Sequence, residues 1–224
     1  MMRIAPYEIE TIISDEPWSV NCYVVCNPSS GRQLLIDPGG PTARIEEAVH
    51  SLGTGLDAIL ITHAHHDHVG ALAEIQKIFD VPCYGHRADN RLLRQAHTYA
   101  LVFAGHSMEP LSNVHLFEGE GPLVDGWSIK VWHTPGHSMG GVCYDFGSFV
   151  CTGDTLLYEH VGRTDTPGGN EPLLIESVDR LLAGLSVETL LLPGHGKSWA
   201  VGDARRWWHD VKAAPPQHKQ FGGV

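Results

Sequence analysis

Asp57-Ala58-Ile59-Leu60-Ile61-Thr62-His63-Ala64-His65-His66-Asp67-His68 is the stretch that decides how this chain is read. Its first half is an apolar run of strand character. Its second half sets four imidazoles and a carboxylate within six residues. In an extended segment, side chains at i, i+2 and i+4 point the same way, which puts His63, His65 and Asp67 on one face. His68 stands where the chain turns into a helix and is aimed toward the same pocket, whereas His66 points away. Nitrogen and oxygen donors at this spacing suit a divalent transition metal such as zinc, iron or manganese. The alternative is a solvated loop in a His-rich chain, and such tight clustering makes accident a poor account.

Three more segments repeat one pattern, an apolar strand followed by a Gly-containing turn and a metal-competent side chain. Val131-Trp132-His133-Thr134-Pro135-Gly136-His137 delivers His137. Phe149-Val150-Cys151-Thr152-Gly153-Asp154 delivers Asp154, and Leu190-Leu191-Leu192-Pro193-Gly194-His195 delivers His195. Glycine lets the backbone turn sharply at these points, and strand ends are where α/β sheets place their sites. Asp37 occupies a similar place in Leu35-Ile36-Asp37-Pro38-Gly39. His133 is expected to be packed or exposed. His50, His86, His97, His106, His115, His160, His209 and His218 have no matching position and are read as core or surface residues.

Around these segments the chain alternates between strand and helix signals. Strands are expected over 7–13, 20–26, 33–36, 57–62, 82–85, 114–117, 128–133, 142–146, 149–152 and 189–192. Helices are expected over 41–52, 69–79, 173–182 and 202–211. This order suggests two packed sheets covered by helices, in one domain over 1–211 with a loose tail over 212–224. The 224 residues are 42% hydrophobic, which excludes a disordered chain. A net charge of −11 argues against a nucleic-acid or anionic-membrane partner, and no apolar run is long enough to span a bilayer. Five cysteines without paired spacing, and no visible secretory signal, fit buried thiols and a cytoplasmic location.

The ordered set HxHxDH, a distant His137, Gly153-Asp154 and a final Gly194-His195-Gly196 resembles the metallo-β-lactamase superfamily from about Asp15 to Ser198. The resemblance implies an α/β fold of the four-layer αββα sandwich type, with a two-metal site at one edge. It implies that His63, His65 and His137 hold one metal, that Asp67, His68 and His195 hold another, and that Asp154 bridges both. Asp37 looks like the aspartate that stands behind the ligands and orients one of them; a plain strand-end turn residue is the alternative. The implied cofactors are two divalent ions, zinc first, with iron or manganese as alternatives. In that scheme a hydroxide shared by the ions attacks an activated carbonyl, and Asp67 is also the catalytic residue that holds it.

Within the superfamily, Asp154 and the stretch Gly162-Arg163-Thr164-Asp165-Thr166-Pro167-Gly168-Gly169 look most like the short single-domain glyoxalase II group, the hydroxyacylglutathione hydrolases. That likeness implies hydrolysis of a thioester or related ester on a small-molecule acyl substrate. Lys197, Arg205, Arg206 and, at the start of the expected tail, Lys212 are the basic residues after His195 apart from Lys219 within the tail, so a basic glutathione clamp is not expected. Arg163, Tyr99 and Phe103 are weak substrate-binding candidates. An Arg163–Asp165 ion pair and helix packing of the 87–112 segment are the alternatives. Two other readings stay open: a sulfur dioxygenase using one iron on His63, His137 and Asp154 against a persulfide, and a lactone hydrolase. A non-catalytic metal-bound scaffold is a further alternative, and a homo-oligomer is compatible with the chain.

Overall fold

The computed structural model describes residues 1–122 and 124–213. Seven strands form one sheet in chain order: β1 (Met2–Ile4), β2 (Tyr7–Ile13), β3 (Asn21–Asn27), β4 (Arg32–Ile36), β5 (Gly55–Leu60), β6 (Cys83–His86) and β7 (Val114–Phe117). Pairing is antiparallel from β1 to β4 and parallel from β4 to β7. A second sheet holds β8 (Lys130–His133), β9 (Val142–Asp145), β10 (Phe149–Gly153), β11 (Leu190–Pro193) and β12 (Trp199–Ala200), in the order β12-β11-β10-β9-β8. Only β10 and β11 run parallel in it.

Period-two alternation sorts each strand's side chains between two buried faces. Tyr23 and Val25 of β3, Leu34 and Ile36 of β4, and Ala58 and Leu60 of β5 face the second sheet. There they meet Val142, Tyr144, Phe146, Phe149, Cys151 and Leu192. The neighbours one position along, Cys22 and Val24, Leu35, and Ile59 with Ile61, face the opposite way. They pack on α1 (Thr42–Leu52), α2 (Leu72–Ile78) and α3 (Asn90–Tyr99) through Ile45, Val49, Leu72, Ile75, Leu92 and Ala96. On the far side, Cys143, Val150 and Leu191 meet α4 (Glu171–Gly184) and α5 (Val201–Ala213) through Leu174, Val178, Leu181 and Ala204. Both sheet faces are therefore covered, giving the four-layer αββα sandwich.

Local signals account for most boundaries. The Asn170 side chain accepts the Leu173 N–H at 3.1 Å and caps α4. All five cysteines are buried free thiols. The chain adds three elements that the sequence reading lacks. β1 pairs with β2, β12 pairs with β11, and α3 continues into a π-helical turn over Ala100–Ala104. α5 extends to Ala213, two residues into the expected tail, and 214–224 lies outside the described residues. Among the described residues no helix is long and apolar enough to cross a membrane.

Phe149 sits at the centre of the inter-sheet layer, stacked on Phe146 at 4.6 Å and edge-on to Tyr7 at 5.8 Å. Phe149→Ala is expected to lower unfolding free energy by about 3–5 kcal/mol. A urea titration checks this, with the midpoint falling and the slope unchanged.

Candidate metal centre

Five strand ends converge at one edge of the sandwich. β4 leads to Asp37, which adopts a left-handed backbone with φ of 52°. β5 leads through Thr62 to His63, β8 through the Thr134–Gly136 turn to His137, β10 to Asp154 and β11 to His195. His63, His65 and His137 bring ligand atoms within 4.8 Å of one another, and so do Asp67, His68 and His195. Asp154 lies between the two groups. Its Oδ2 is 3.5 Å from His137 Nε2 and 3.5 Å from His195 Nε2, and its Oδ1 is 3.4 Å from His68 Nε2.

His63, His65 and Asp67 all reach this one site, but not through the alternation of a single strand. His63 and His65 meet in one group, and Asp67 joins His68 in the other. The cause is local: the His68 N–H donates to the His65 carbonyl at 3.1 Å, so the chain has already left the extended state at Asp67. The alternation argument ends where that turn begins.

Each of the five histidines has one ring nitrogen engaged by the surrounding protein. His63 Nδ1 meets Thr62 Oγ1 at 3.1 Å, and that hydroxyl donates to Asp37 Oδ2 at 2.6 Å. His68 Nδ1 reaches the same Asp37 oxygen at 2.9 Å. His137 Nδ1 faces the Arg163 carbonyl at 2.7 Å, His195 Nδ1 the Trp18 carbonyl at 2.8 Å, and His65 Nε2 the Pro167 carbonyl at 3.4 Å. These partners are all acceptors toward the ring, so each outer nitrogen carries the hydrogen in the neutral imidazole. The inner nitrogens then present lone pairs to one another: His65 Nδ1 to His137 Nε2 at 2.8 Å, His137 Nε2 to His63 Nε2 at 3.1 Å, and His68 Nε2 to His195 Nε2 at 3.4 Å.

Such convergence is repulsive unless a cation lies between the nitrogens. Ligand atoms on a tetrahedral ion with bonds of about 2.0–2.1 Å stand roughly 3.3 Å apart, close to the 3.1 and 3.4 Å separations, with the His65–His137 pair tighter at 2.8 Å. Asp154 Oδ1 is buried and, beyond its 3.4 Å contact with His68 Nε2, has no hydrogen-bond partner among the described residues. A Cβ at Gly194 would run into that oxygen and into His68 Cε1, so glycine keeps the space beside them open. The donor set thus fits a pair of divalent cations.

Electrostatics divide the two groups. Burial, reinforced by neighbouring imidazoles, holds His63 well below the ordinary imidazole value and His137 down to about 4; burial also lowers His65. Burial pulls His68 and His195 the same way, but Asp154 and Asp67, joined at His68 by Asp37, outweigh it and raise both. Burial opposes ionisation of Asp67 and Asp154, yet His68 and His195 outweigh it and keep both carboxylates charged.

Several contributors were not legible as site residues. Thr62, the carbonyls of Trp18, Arg163 and Pro167, and Asp89 all hold the cluster in place. Arg163 forms a two-point ion pair with Asp165, at 2.9 Å to each oxygen, while its carbonyl faces His137. The Tyr99 hydroxyl donates to Gln95 at 3.1 Å and its ring packs on the first core. Phe103 is exposed, with its ring centre 6.5 Å from that of His66. His133 stacks on His86 at 4.2 Å.

Asp89 directly precedes α3, where an aspartate ordinarily caps its own helix, but here no such bond forms. Its Oδ2 accepts the Ala64 N–H at 3.0 Å and the Ser138 hydroxyl at 2.8 Å, and its Oδ1 accepts the Gly140 N–H at 2.6 Å. It thereby ties the His63–His65 loop to the His137 loop. Asp89→Asn sets an amide group among these donors and is expected to destabilise the chain by about 2–4 kcal/mol. Thermal unfolding of metal-stripped protein measures the loss, and faster metal removal by a chelator accompanies it.

Residues 15–195 match the family model described as the metallo-beta-lactamase superfamily. A probable metallo-hydrolase of Bacillus subtilis, YqgX, is 36% identical over 80% of this chain and 86% of its own length. The hydroxyacylglutathione hydrolase GloC of Haemophilus influenzae is 30% identical over 87% of this chain and 94% of its own. Among solved structures, TTHA1623 in a di-iron-bound form superposes with a TM-score of 0.79 at 34% identity, covering 88% of this chain and 97% of that one. The BLEG-1 B3 metallo-beta-lactamase gives a TM-score of 0.80 at 28% identity, covering 89% and 97%. With its sheets, its strand-end cluster and this match across most of its length, the chain belongs to the metallo-β-lactamase superfamily.

Proposed function

We propose that this protein is a metal-dependent hydrolase of a thioester or related ester, acting on a small-molecule acyl substrate. The observation that carries the reading is the anchoring of five imidazoles by their outer nitrogens, with their inner nitrogens converging beside the buried Asp154 carboxylate. His63, His65 and His137 would hold one divalent ion and Asp67, His68 and His195 the other, with Asp154 shared. Bound there, such ions supply Lewis acidity and lower the pKa of water toward neutrality. Zinc is the ion favoured here, with iron or manganese as alternatives, and the resemblance to a di-iron-bound structure supports a two-ion reading.

The chain's own groups contribute orientation and proton handling. Asp67 Oδ2 lies 3.5 Å from His195 Nε2, and its Oδ1 is 3.8 Å from His66 Nδ1. Held ionised by His68 and His195, it can accept a hydrogen bond from the attacking water and fix the direction of its lone pair. Asp37 takes hydrogen bonds from Thr62 and His68, so the His63 and His68 rings share one fixed support. Arg163, pinned by Asp165, keeps its carbonyl on His137. The thioester preference is supported by the likeness to GloC and by the presence of Asp154.

Asp67→Ala and Asp154→Ala are each expected to lower kcat/KM on thioesters by at least about 100-fold, Asp154→Ala with reduced metal content. Elemental analysis beside a panel of thioesters and lactones checks both. Rates near wild type in both variants overturn the assignment. The set His63, His137 and Asp154 is also a two-histidine, one-carboxylate site, so one iron per chain with oxygen consumption on a persulfide would favour the dioxygenase reading instead.

A further inference from the structure

A cavity of about 330 Å³ opens beside Asp67, between the Ser14–Trp18 loop and the Gly39–Pro41 turn. Its wall includes His66, the position the motif leaves free and the sequence reading turned away from the site. The His66 side chain is 9% exposed, and its Nε2 is buried without any hydrogen-bond partner among the described residues. Trp18 stands edge-on to His66 at 5.1 Å, and Trp18's carbonyl faces the His195 ring, so one loop both shapes the cavity and anchors a candidate ligand.

The charges of the lining are one-sided. Asp15 and Glu16 are its exposed charged residues, and no Lys or Arg is found among the described residues that line it; Asp67, the third carboxylate, is a candidate metal ligand whose charge the ions would offset. Neither Asp15 nor Glu16 makes an ion pair among the described residues. His106, exposed at the mouth, is the other titratable group facing the space. An arm ending in carboxylates or phosphates would be repelled by such a wall. A cationic arm would be drawn in and kept near the two outer carboxylates.

We propose that this cavity receives the substrate arm extending from the reacting carbonyl, and that it selects a cationic arm over an anionic one. The inference rests on the thioester-hydrolase reading and gives it a substrate class: ammonium-bearing thioesters rather than those of glutathione or a phosphorylated thiol. The Trp18 ring bounds the apolar part of that arm, and Asp15 and Glu16 face its charged end.

Three thioesters of one acyl group test this, with the thiol arm thiocholine, N-acetylcysteamine or 3-mercaptopropionate. A second series places the ammonium or carboxylate on the acyl arm instead. In at least one series kcat/KM is expected to be roughly tenfold higher for the cation than for the anion at low salt. That ratio should fall as ionic strength rises, because the mouth carboxylates are exposed. D15N/E16Q should flatten the ratio and D15K/E16K invert it, with the neutral ester as internal reference. Calorimetric titration of non-hydrolysable thioether analogues, with metal-loaded and metal-stripped protein, gives the same ranking without turnover. A neutral ester left intact by wild-type protein sinks the thioesterase reading, while the calorimetric ranking still judges the cavity. Cation and anion alike, or the anion preferred, in both series and in calorimetry overturns the inference.

Discussion

Five imidazoles and the carboxylates of Asp67 and Asp154 crowd one edge of the sandwich, and the surrounding protein satisfies only part of their hydrogen-bonding and charge demand. Burying carboxylates without cationic partners is costly, and so is opposing lone pairs at 2.8 and 3.1 Å. Protons on His68 and His195 relieve part of the strain, since the adjacent carboxylates raise both rings. They do nothing for His63, His65 and His137, which burial keeps neutral. A pair of divalent cations answers both halves at once. The outer nitrogens are already tied down, so the rings need little reorganisation to accept them.

The sandwich has to hold that edge closed, because the ligands come from both sheets. Asp37 and the His63–His68 segment belong to the first sheet, and His137, Asp154 and His195 to the second. Buried polar contacts join the sheets at this edge. The Asn21 side chain donates to the carbonyls of Pro193 and Gly196 at 2.9 and 2.8 Å, and the Tyr23 hydroxyl donates to Pro193 at 2.7 Å. From the other side the Tyr144 hydroxyl donates to Ile61 at 3.0 Å, and the Val142 N–H donates to Thr62 at 2.9 Å. An apolar layer fixes the spacing of two sheets but not their register, and these directional bonds fix it where the ligands meet.

The layering was legible because β3, β4, β5, β10 and β11 carry apolar side chains on both faces, the mark of a strand covered on each side. The candidate ligands were legible because His137, Asp154 and His195 each follow a strand and a glycine turn. What the sequence hid has a common cause. Asp89 reads as a helix cap, Thr62 as the last residue of a strand, and Trp18 as a loop aromatic. Their parts depend on carbonyls and carboxylate oxygens meeting partners from 25 to 177 positions away. β1 and β12 are too short to carry a period, whereas α3 falls within the 87–112 segment for which helix packing is one reading.

His66 shows how a motif can obscure a neighbour. The motif turns it away from the ligands, and the turn that carries Asp67 into the second group also brings His66 to the wall of a cavity. Its ring meets the edge of Trp18, whose carbonyl faces His195. A displacement of that loop would therefore shift the cavity wall and a candidate ligand together. If the cavity takes the substrate arm as proposed, the backbone of one residue would link that arm to the His195 ring.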